Sequence, residues 1–89
     1  MMTERQVRIV HSHGIHARPA AEIVKLAARY TSHITLVRDD LEVNGKSIMG
    51  VMMLAAECGA EIVIRADGED AESAVEALAA LIGGHFGES

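Results

Sequence analysis

The 89-residue sequence is poor in aromatic residues, cysteine and proline: it contains one tyrosine, one phenylalanine, one cysteine, one proline and no tryptophan. Hydrophobic residues nevertheless make up 49% of the chain, so aliphatic side chains and methionine have to fill its core. The lone Cys58 cannot form a disulfide within the chain. Because it follows an apolar run, we expect Cys58 to be a small buried side chain with no functional role.

Long apolar runs are also lacking. The longest uncharged apolar run extends from Ile48 to Ala56 and is far shorter than the ~20 residues of a membrane-spanning helix. The first residues, MMTERQ, have no basic segment followed by an apolar one, as a secretory signal would. We therefore expect a cytoplasmic protein with no membrane insertion.

Positive charge is in deficit as well. Eight lysines and arginines stand against thirteen acidic residues, which gives a net charge of −5. This charge opposes non-specific attraction to nucleic acids and to anionic membrane surfaces, so we expect neither as a partner. The chain has the length of one domain and contains no internal repeat, so we expect a single domain over 1–89.

The hydrophobic periodicity predicts seven elements in the order βαββαβα. Alternating apolar and polar residues indicate strands, whereas apolar residues spaced by three and four indicate helices. This order predicts an α+β fold in which an antiparallel four-stranded sheet is covered by three helices on one face and exposed to solvent on the other. The predicted strands are 6–12, 33–38, 41–44 and 61–66, and the predicted helices are 17–30, one starting at about 47, and 70–83.

Residues 13–20, HGIHARPA, carry the most chemistry in the chain. His16 directly precedes the first predicted helix, and Pro19 lies in its first turn, where a missing N–H costs nothing. A helix N-terminus attracts anions, and the amides of Ala17 and Arg18 lie there with the Arg18 guanidinium. A neutral imidazole can accept a phosphoryl group near pH 7. The residues alone leave open that His16 and Arg18 are ordinary exposed turn residues.

Two stretches, GIHARPA at 14–20 and NGKSIMGVMMLAA at 44–56, resemble the HPr family of phosphocarriers of the bacterial phosphoenolpyruvate-dependent sugar phosphotransferase system. The resemblance implies an HPr-like open-faced β-sandwich, with His16 phosphorylated on Nδ1 and Arg18 as its partner. It also implies that enzyme I donates the phosphoryl group and that IIA proteins or domains receive it, without a cofactor. Such a carrier is not an enzyme in the usual sense, because its histidine is consumed and regenerated in each cycle.

The second stretch places Ser47 at the regulatory position of that family. The resemblance implies an HPr kinase/phosphorylase as the enzyme acting on Ser47, in organisms that have one. A simpler role is available from the residues, since Ser47 starts a helix and its hydroxyl would be a good N-cap. Both roles are compatible, because a phosphate there adds about two negative charges near a partner surface without changing the fold.

The second predicted helix has more apolar residues than one buried face needs, so some of them have to be exposed. Flexible methionine side chains suit a surface that meets several partners. We expect Val51, Leu54, Ala55 and at least one methionine in the core. We predict a partner interface made of Ile48, Met49, Met52 and Ala20.

Two residues depart from the family pattern. Ile15 stands where leucine or methionine is more common, and Met53 stands where many members have a small polar residue. Met53 makes the surface of the second helix unusually apolar, which affects the choice of partners. The basic residues Lys25, Arg29 and Lys46 are candidates to flank this surface and attract acidic partners.

Two other functions compete with the sugar-branch carrier. His11, His13 and His16 have the spacing of metal ligands, although Gly14 turns the chain before His16 and no cysteine is near. A carrier of the nitrogen-related branch would keep a phosphorylated His16 but would not feed sugar uptake. We expect a monomer with no metal site.

Overall fold

A computed structural model describes residues 1–10, 15, 17–54 and 59–84. In this part of the chain the predicted element order βαββαβα is confirmed. The elements are β1 (Met2–Arg8), α1 (Ala17–Ala27), β2 (His33–Arg38), β3 (Leu41–Asn44), α2 (Ile48–Met53), β4 (Glu61–Asp67) and α3 (Ala71–Ile82).

The strands form one sheet in the order β1-β4-β2-β3, and every neighbouring pair is antiparallel. The predicted α+β fold with an antiparallel sheet is therefore correct. β4 lies inside the sheet, where it pairs with β1 on one side and with β2 on the other. β1 and β3 are consequently the two edge strands.

One face of the sheet carries the core. Along β4, Ile62, Ile64 and Ala66 are fully buried, whereas Val63 and Arg65 between them are only partly buried. Burying one such isoleucine contributes roughly 1.5–3 kcal/mol. The helices cover this face, and the predicted stripe of α3 is buried along its whole length. That stripe comprises Ala71, Ala74, Val75, Leu78 and Ile82.

The opposite face is polar, as the alternating strands predict. Arg65 on β4 donates a 2.6 Å hydrogen bond from Nε to Glu4 on β1, and its Nη1 lies 3.6 Å from the carboxylate of Glu42 on β3. The hydrogen bond to Glu4 is the main cause that raises the pKa of Arg65. One guanidinium thus links both edge strands to the interior of the sheet.

β1 begins earlier and ends earlier than the predicted strand 6–12. Its seven residues pair with β4 from Met2 to Arg8, and Ile9 then leaves the strand while keeping two backbone bonds to Gly59 and Ala60. The first residues of β1 are mostly polar, so apolar periodicity does not indicate a strand there. An edge strand with a solvent-exposed face needs few apolar residues. Residues 11–12 lie outside the described residues.

α1 ends at Ala27, three residues before the predicted end. Arg29 and Tyr30 donate to carbonyls three residues earlier, a tighter turn that closes the helix. Lys46 Nζ donates a 2.7 Å hydrogen bond to the Tyr30 carbonyl. A lysine distant in the sequence therefore binds the turn that closes the helix.

Asp70 stands at the N-cap position of α3 but does not cap it with its side chain. Its carboxylate instead accepts backbone N–H bonds of 2.8 Å from Thr31 and 2.9 Å from Ser32, together with both hydroxyls. The hydrogen bond from the Ser32 hydroxyl, followed by that from the Thr31 N–H, lowers the pKa of Asp70 to about 2. Asp70 therefore joins the start of α3 to the start of β2.

Candidate functional site

The N-terminal turn of α1 is anchored by apolar side chains. α1 begins at Ala17, with Arg18 as its second residue and Pro19 as its third. Ile15 and Pro19 are buried, and Ala20 is fully buried in the core. The substitution of isoleucine at position 15 therefore falls on a core side chain, where a change between apolar residues of similar size costs little.

The same turn is electrostatically open to an anion. The first four N–H groups of a helix have no partner within it, and they carry the positive end of the helix dipole. The first turn of α1 contains no acidic residue. Arg18 is exposed, and its side chain has no hydrogen bond or ion pair with another described residue. His16, predicted to be phosphorylated here, lies outside the described residues.

Ser47 is the N-cap of α2. Its backbone is extended, and its hydroxyl oxygen accepts a 3.1 Å hydrogen bond from the N–H of Gly50. The turn before it is held by Asn44, whose side-chain oxygen accepts from the N–H of Lys46 at 2.8 Å. The capping role expected from the residues is therefore confirmed, and the regulatory role stays a prediction.

α2 presents an exposed hydrophobic surface, which we call the α2 patch and define as Ile48, Met49, Met52 and Met53. Their exposed fractions are 46%, 77%, 44% and 64%. Such a cluster on a single short helix is unusual for a surface that meets only water.

The expectation that at least one methionine of α2 packs in the core is wrong. Val51 and Leu54 are the buried side chains here, with exposed fractions of 0% and 1%, whereas all three methionines are exposed. Both are core residues as predicted, whereas Ala55 lies outside the described residues.

Ala20, which we predicted in the partner interface, has no exposed surface. Its small side chain lies on the inner face of α1, which packs against both α2 and α3. Ala20 therefore cannot touch a partner in this fold, and we remove it from the interface.

Sequence reasoning missed a shallow groove between α1 and α3. Its volume is about 670 Å³, and Leu26 and Leu81 are among the residues that line it. Lys25 and Arg29, two basic residues expected beside the α2 surface, line this groove. Glu22 also lines it, and one of its carboxylate oxygens is buried without a hydrogen-bond partner among the described residues. The groove forms where α1 and α3, which are distant in the sequence, lie side by side, so no local sequence pattern predicts it.

The alternative metal site lies outside the described residues, since His11, His13 and His16 all do. Within the residues that are described, no group of three or more histidine, cysteine or acidic side chains could hold a metal ion. Over the same part of the chain, no helix has the length and hydropathy that crossing a bilayer requires. Cys58 is likewise not described.

The sequence is similar to a known protein family over most of its length. The family model described as the PTS HPr component phosphorylation site matches residues 3–83. The chain is 47% identical over 87 residues to the phosphocarrier protein HPr of Treponema pallidum, covering 98% of this chain and 99% of that protein.

Two solved structures from Thermoanaerobacter tengcongensis have the same fold. A crystal structure of HPr-C-His matches with a TM-score of 0.93 and 41% identity, covering 98% of both chains. A crystal structure described as an HPr dimer matches with a TM-score of 0.77 and 43% identity, covering 92% of this chain and 94% of the other.

The fold class is thus an open-faced β-sandwich, with a polar sheet face on one side and three helices on the other. The positive N-terminal end of α1 and the exposed apolar side chains of α2 lie on the helical side of the molecule. With a family model matching residues 3–83, the chain belongs to the HPr family of phosphocarrier proteins of the phosphotransferase system.

Proposed function

We propose that the protein carries a phosphoryl group on His16, receiving it from phosphorylated enzyme I and passing it to IIA proteins or domains for sugar uptake. The observation that carries this proposal is the N-terminus of α1, which follows His16 directly in the chain. That turn has no acidic residue, and Arg18 is exposed with no side-chain partner among the described residues. Membership of the phosphocarrier family supports it.

Nδ1 of His16 is the proposed nucleophile. The imidazole lone pair attacks phosphorus, the new N–P bond forms as the bond to the donor's leaving group breaks, and that group takes the electron pair. The backbone N–H groups of Ala17 and Arg18 and the Arg18 guanidinium bind the phosphoryl oxygens. The reverse sequence delivers the phosphoryl group to the acceptor, so the protein acts stoichiometrically and needs no metal or cofactor of its own.

The α2 patch is the proposed docking surface for enzyme I and the IIA acceptors. Its three methionines are flexible and polarizable, so they adapt to partners of different shape. Its exposed apolar area gives each complex hydrophobic contact area without a preformed pocket. Lys46, in the turn that precedes α2, adds positive charge for acidic partners.

Ser47 is the proposed regulatory position. A phosphate on its hydroxyl is compatible with the positive end of α2, but it adds about two negative charges beside the α2 patch. An HPr kinase/phosphorylase is the enzyme proposed to add it. Docking would weaken while the fold is retained, because the phosphate sits at a helix N-terminus that tolerates negative charge.

The test is intact-mass analysis after incubation with enzyme I, magnesium and phosphoenolpyruvate. Wild type is expected to gain one phosphoryl adduct that acid removes and alkali preserves, and His16→Ala is expected to gain none. His33→Ala is the matched control, since His33 is an exposed histidine on β2, and it should be phosphorylated like wild type. An adduct that survives in His16→Ala would contradict the proposal.

We further propose that the chain works as a monomer in the cytoplasm and forms one domain over 1–89. The dimer description of one structural relative makes the oligomeric state worth measuring directly. Light scattering at the concentrations of the transfer assay is expected to give the mass of one chain. A concentration-dependent doubling of the mass would show that the protein dimerises.

A further inference from the structure

All five methionines of the chain lie in the described residues, and three of them belong to the α2 patch. Met49, Met53 and Met52 are 77%, 64% and 44% exposed, so solvent reaches each sulfur-bearing side chain. Met2 begins β1 and Met1 precedes it, and β1 lies at the opposite edge of the sheet from β3, against which α2 packs. Three of the five methionine sulfurs therefore lie on the surface proposed for docking.

We infer that Met49, Met52 and Met53 form a reversible oxidation site that peroxides convert to sulfoxides and that controls access to the α2 patch. This inference rests on the proposed function, because it assumes that partners dock there. Each thioether sulfur gives an electron pair to one peroxide oxygen, and an S–O bond forms as the O–O bond breaks. The transferred oxygen gives its proton to the departing hydroxide, so one water leaves for each sulfoxide formed.

Sulfoxide formation makes the α2 patch more polar without changing the buried residues that hold α2 to the core. A flexible apolar side chain becomes polar and chiral, and a partner that buries it has to desolvate an oxygen with no matching donor. The two residues that hold α2 to the core, Val51 and Leu54, contain no sulfur and are buried. Oxidation therefore acts on docking and not on folding.

Reversal is part of the inference. Methionine sulfoxide reductases reduce both sulfoxide epimers, one enzyme for each, and exposed side chains on a surface helix are accessible to such enzymes. The α2 patch would thus sense peroxide by the same loss of docking that negative charge at Ser47 is proposed to cause. The two signals differ in chemistry, since one adds a polar oxygen and the other adds charge.

The experiment treats the protein with hydrogen peroxide, maps each sulfoxide by peptide mass spectrometry, and measures phosphoryl transfer from enzyme I. Each sulfoxide adds about 16 Da. Exposure predicts that Met49 reacts faster than Met52. For oxidised wild type we expect KM to rise about tenfold with kcat unchanged, because the reacting imidazole is untouched. Treatment with the two reductases should restore KM.

The matched variants are Met49→Leu/Met52→Leu/Met53→Leu and Met2→Leu, each compared with its own untreated form. The triple variant keeps Cys58 and is expected to show no peroxide effect, whereas Met2→Leu should respond like wild type. Circular dichroism before and after treatment checks that the fold is retained.

Two results would overturn the inference: full transfer activity with all three α2 sulfurs oxidised, or an equal loss in the triple variant, which would assign the effect to Cys58 or another group. If untreated wild type accepts no phosphoryl group at all, the proposed function itself fails. That outcome is distinguishable, because it appears before any peroxide is added.

Discussion

The side-chain ammonium of Lys46 lies 2.7 Å from the carbonyl oxygen of Tyr30 and donates a hydrogen bond to it. Tyr30 follows the end of α1, and Lys46 lies in the turn before α2, so one bond joins the two helices that carry the candidate site. A cation at this end of α1 also interacts favourably with the helix dipole. Lys46 therefore has a structural partner in addition to its proposed role near acidic partners.

Replacing Lys46 with methionine should destabilise the protein by about 1 kcal/mol, because the methionine keeps the apolar stem and loses the donor. Urea unfolding monitored by circular dichroism measures the difference. Lys25→Met is the control, since Lys25 is an exposed lysine of α1 and its replacement should change the stability by less than about 0.5 kcal/mol. Equal effects of the two substitutions would show that the bond to Tyr30 contributes nothing.

Arg18→Met should slow phosphoryl transfer by about tenfold to a hundredfold while leaving the stability of the fold unchanged. The expected loss corresponds to a charge-assisted hydrogen bond to phosphate of about 1.5–3 kcal/mol. Rapid-quench kinetics of phosphoryl transfer from enzyme I measure the rate, and thermal unfolding measures the stability. Arg29→Met removes an exposed arginine of the α1–α3 groove and should keep a transfer rate close to that of wild type. A similar loss in both variants would point to general charge and not to a phosphate contact.

Substitutions at Ser47 should separate its capping role from its regulatory role. Ser47→Ala removes the acceptor for the Gly50 N–H and is expected to cost about 1 kcal/mol of stability. Ser47→Asp keeps an N-cap acceptor and adds charge, so it should fold about as stably as wild type but receive the phosphoryl group more slowly. The prediction fails if Ser47→Asp transfers at the wild-type rate.

Asp70 should make stability depend on pH in the acidic range. Its pKa is lowered from an ordinary value of 3.8 to about 2 by its hydrogen bonds to Ser32 and Thr31. Because the folded-state pKa lies below the unfolded-state value, this stabilisation is complete above about pH 4 and is lost as the pH falls to about 2.

Asp70→Asn should therefore lower Tm at pH 7, and its difference from wild type should shrink as the pH approaches 2. Thermal unfolding at a series of pH values measures this difference. Glu69→Gln, at the exposed neighbouring position, should leave Tm nearly unchanged. A difference between Asp70→Asn and wild type that is constant with pH would show that the carboxylate charge is not what stabilises this contact.

Local patterns were enough to predict the element order and the buried stripe of α3, because both follow from the spacing of apolar residues. The end of α1 could not be predicted this way. Ala28 and Arg29 are good helix formers, and the turn that closes the helix is bound by Lys46, 16 residues beyond Tyr30. The role of Asp70 was missed for the same reason, since its partners lie about 40 residues earlier.

In the candidate site, too, features set by neighbouring residues could be predicted, whereas features set by tertiary packing could not. The capping role of Ser47 follows from its own sequence neighbourhood. The burial of Ala20 and the exposure of all three α2 methionines instead depend on how the helices pack, which decides which side chains face the core. Val51 and Leu54 occupy that space. The expected role of His16 came from a resemblance in sequence, and it is the transfer experiment that tests it.

Because the exposed apolar side chains are concentrated on one short helix, the proposed complexes with the donor and the acceptor have to form one after the other. Four of the eight large exposed hydrophobic residues among those described belong to the α2 patch. A donor and an acceptor that both need this patch exclude each other, so the carrier has to leave one before it meets the next. Its throughput then depends on how quickly each complex dissociates, and a partner that bound very tightly would stall the flow of phosphoryl groups to all the others.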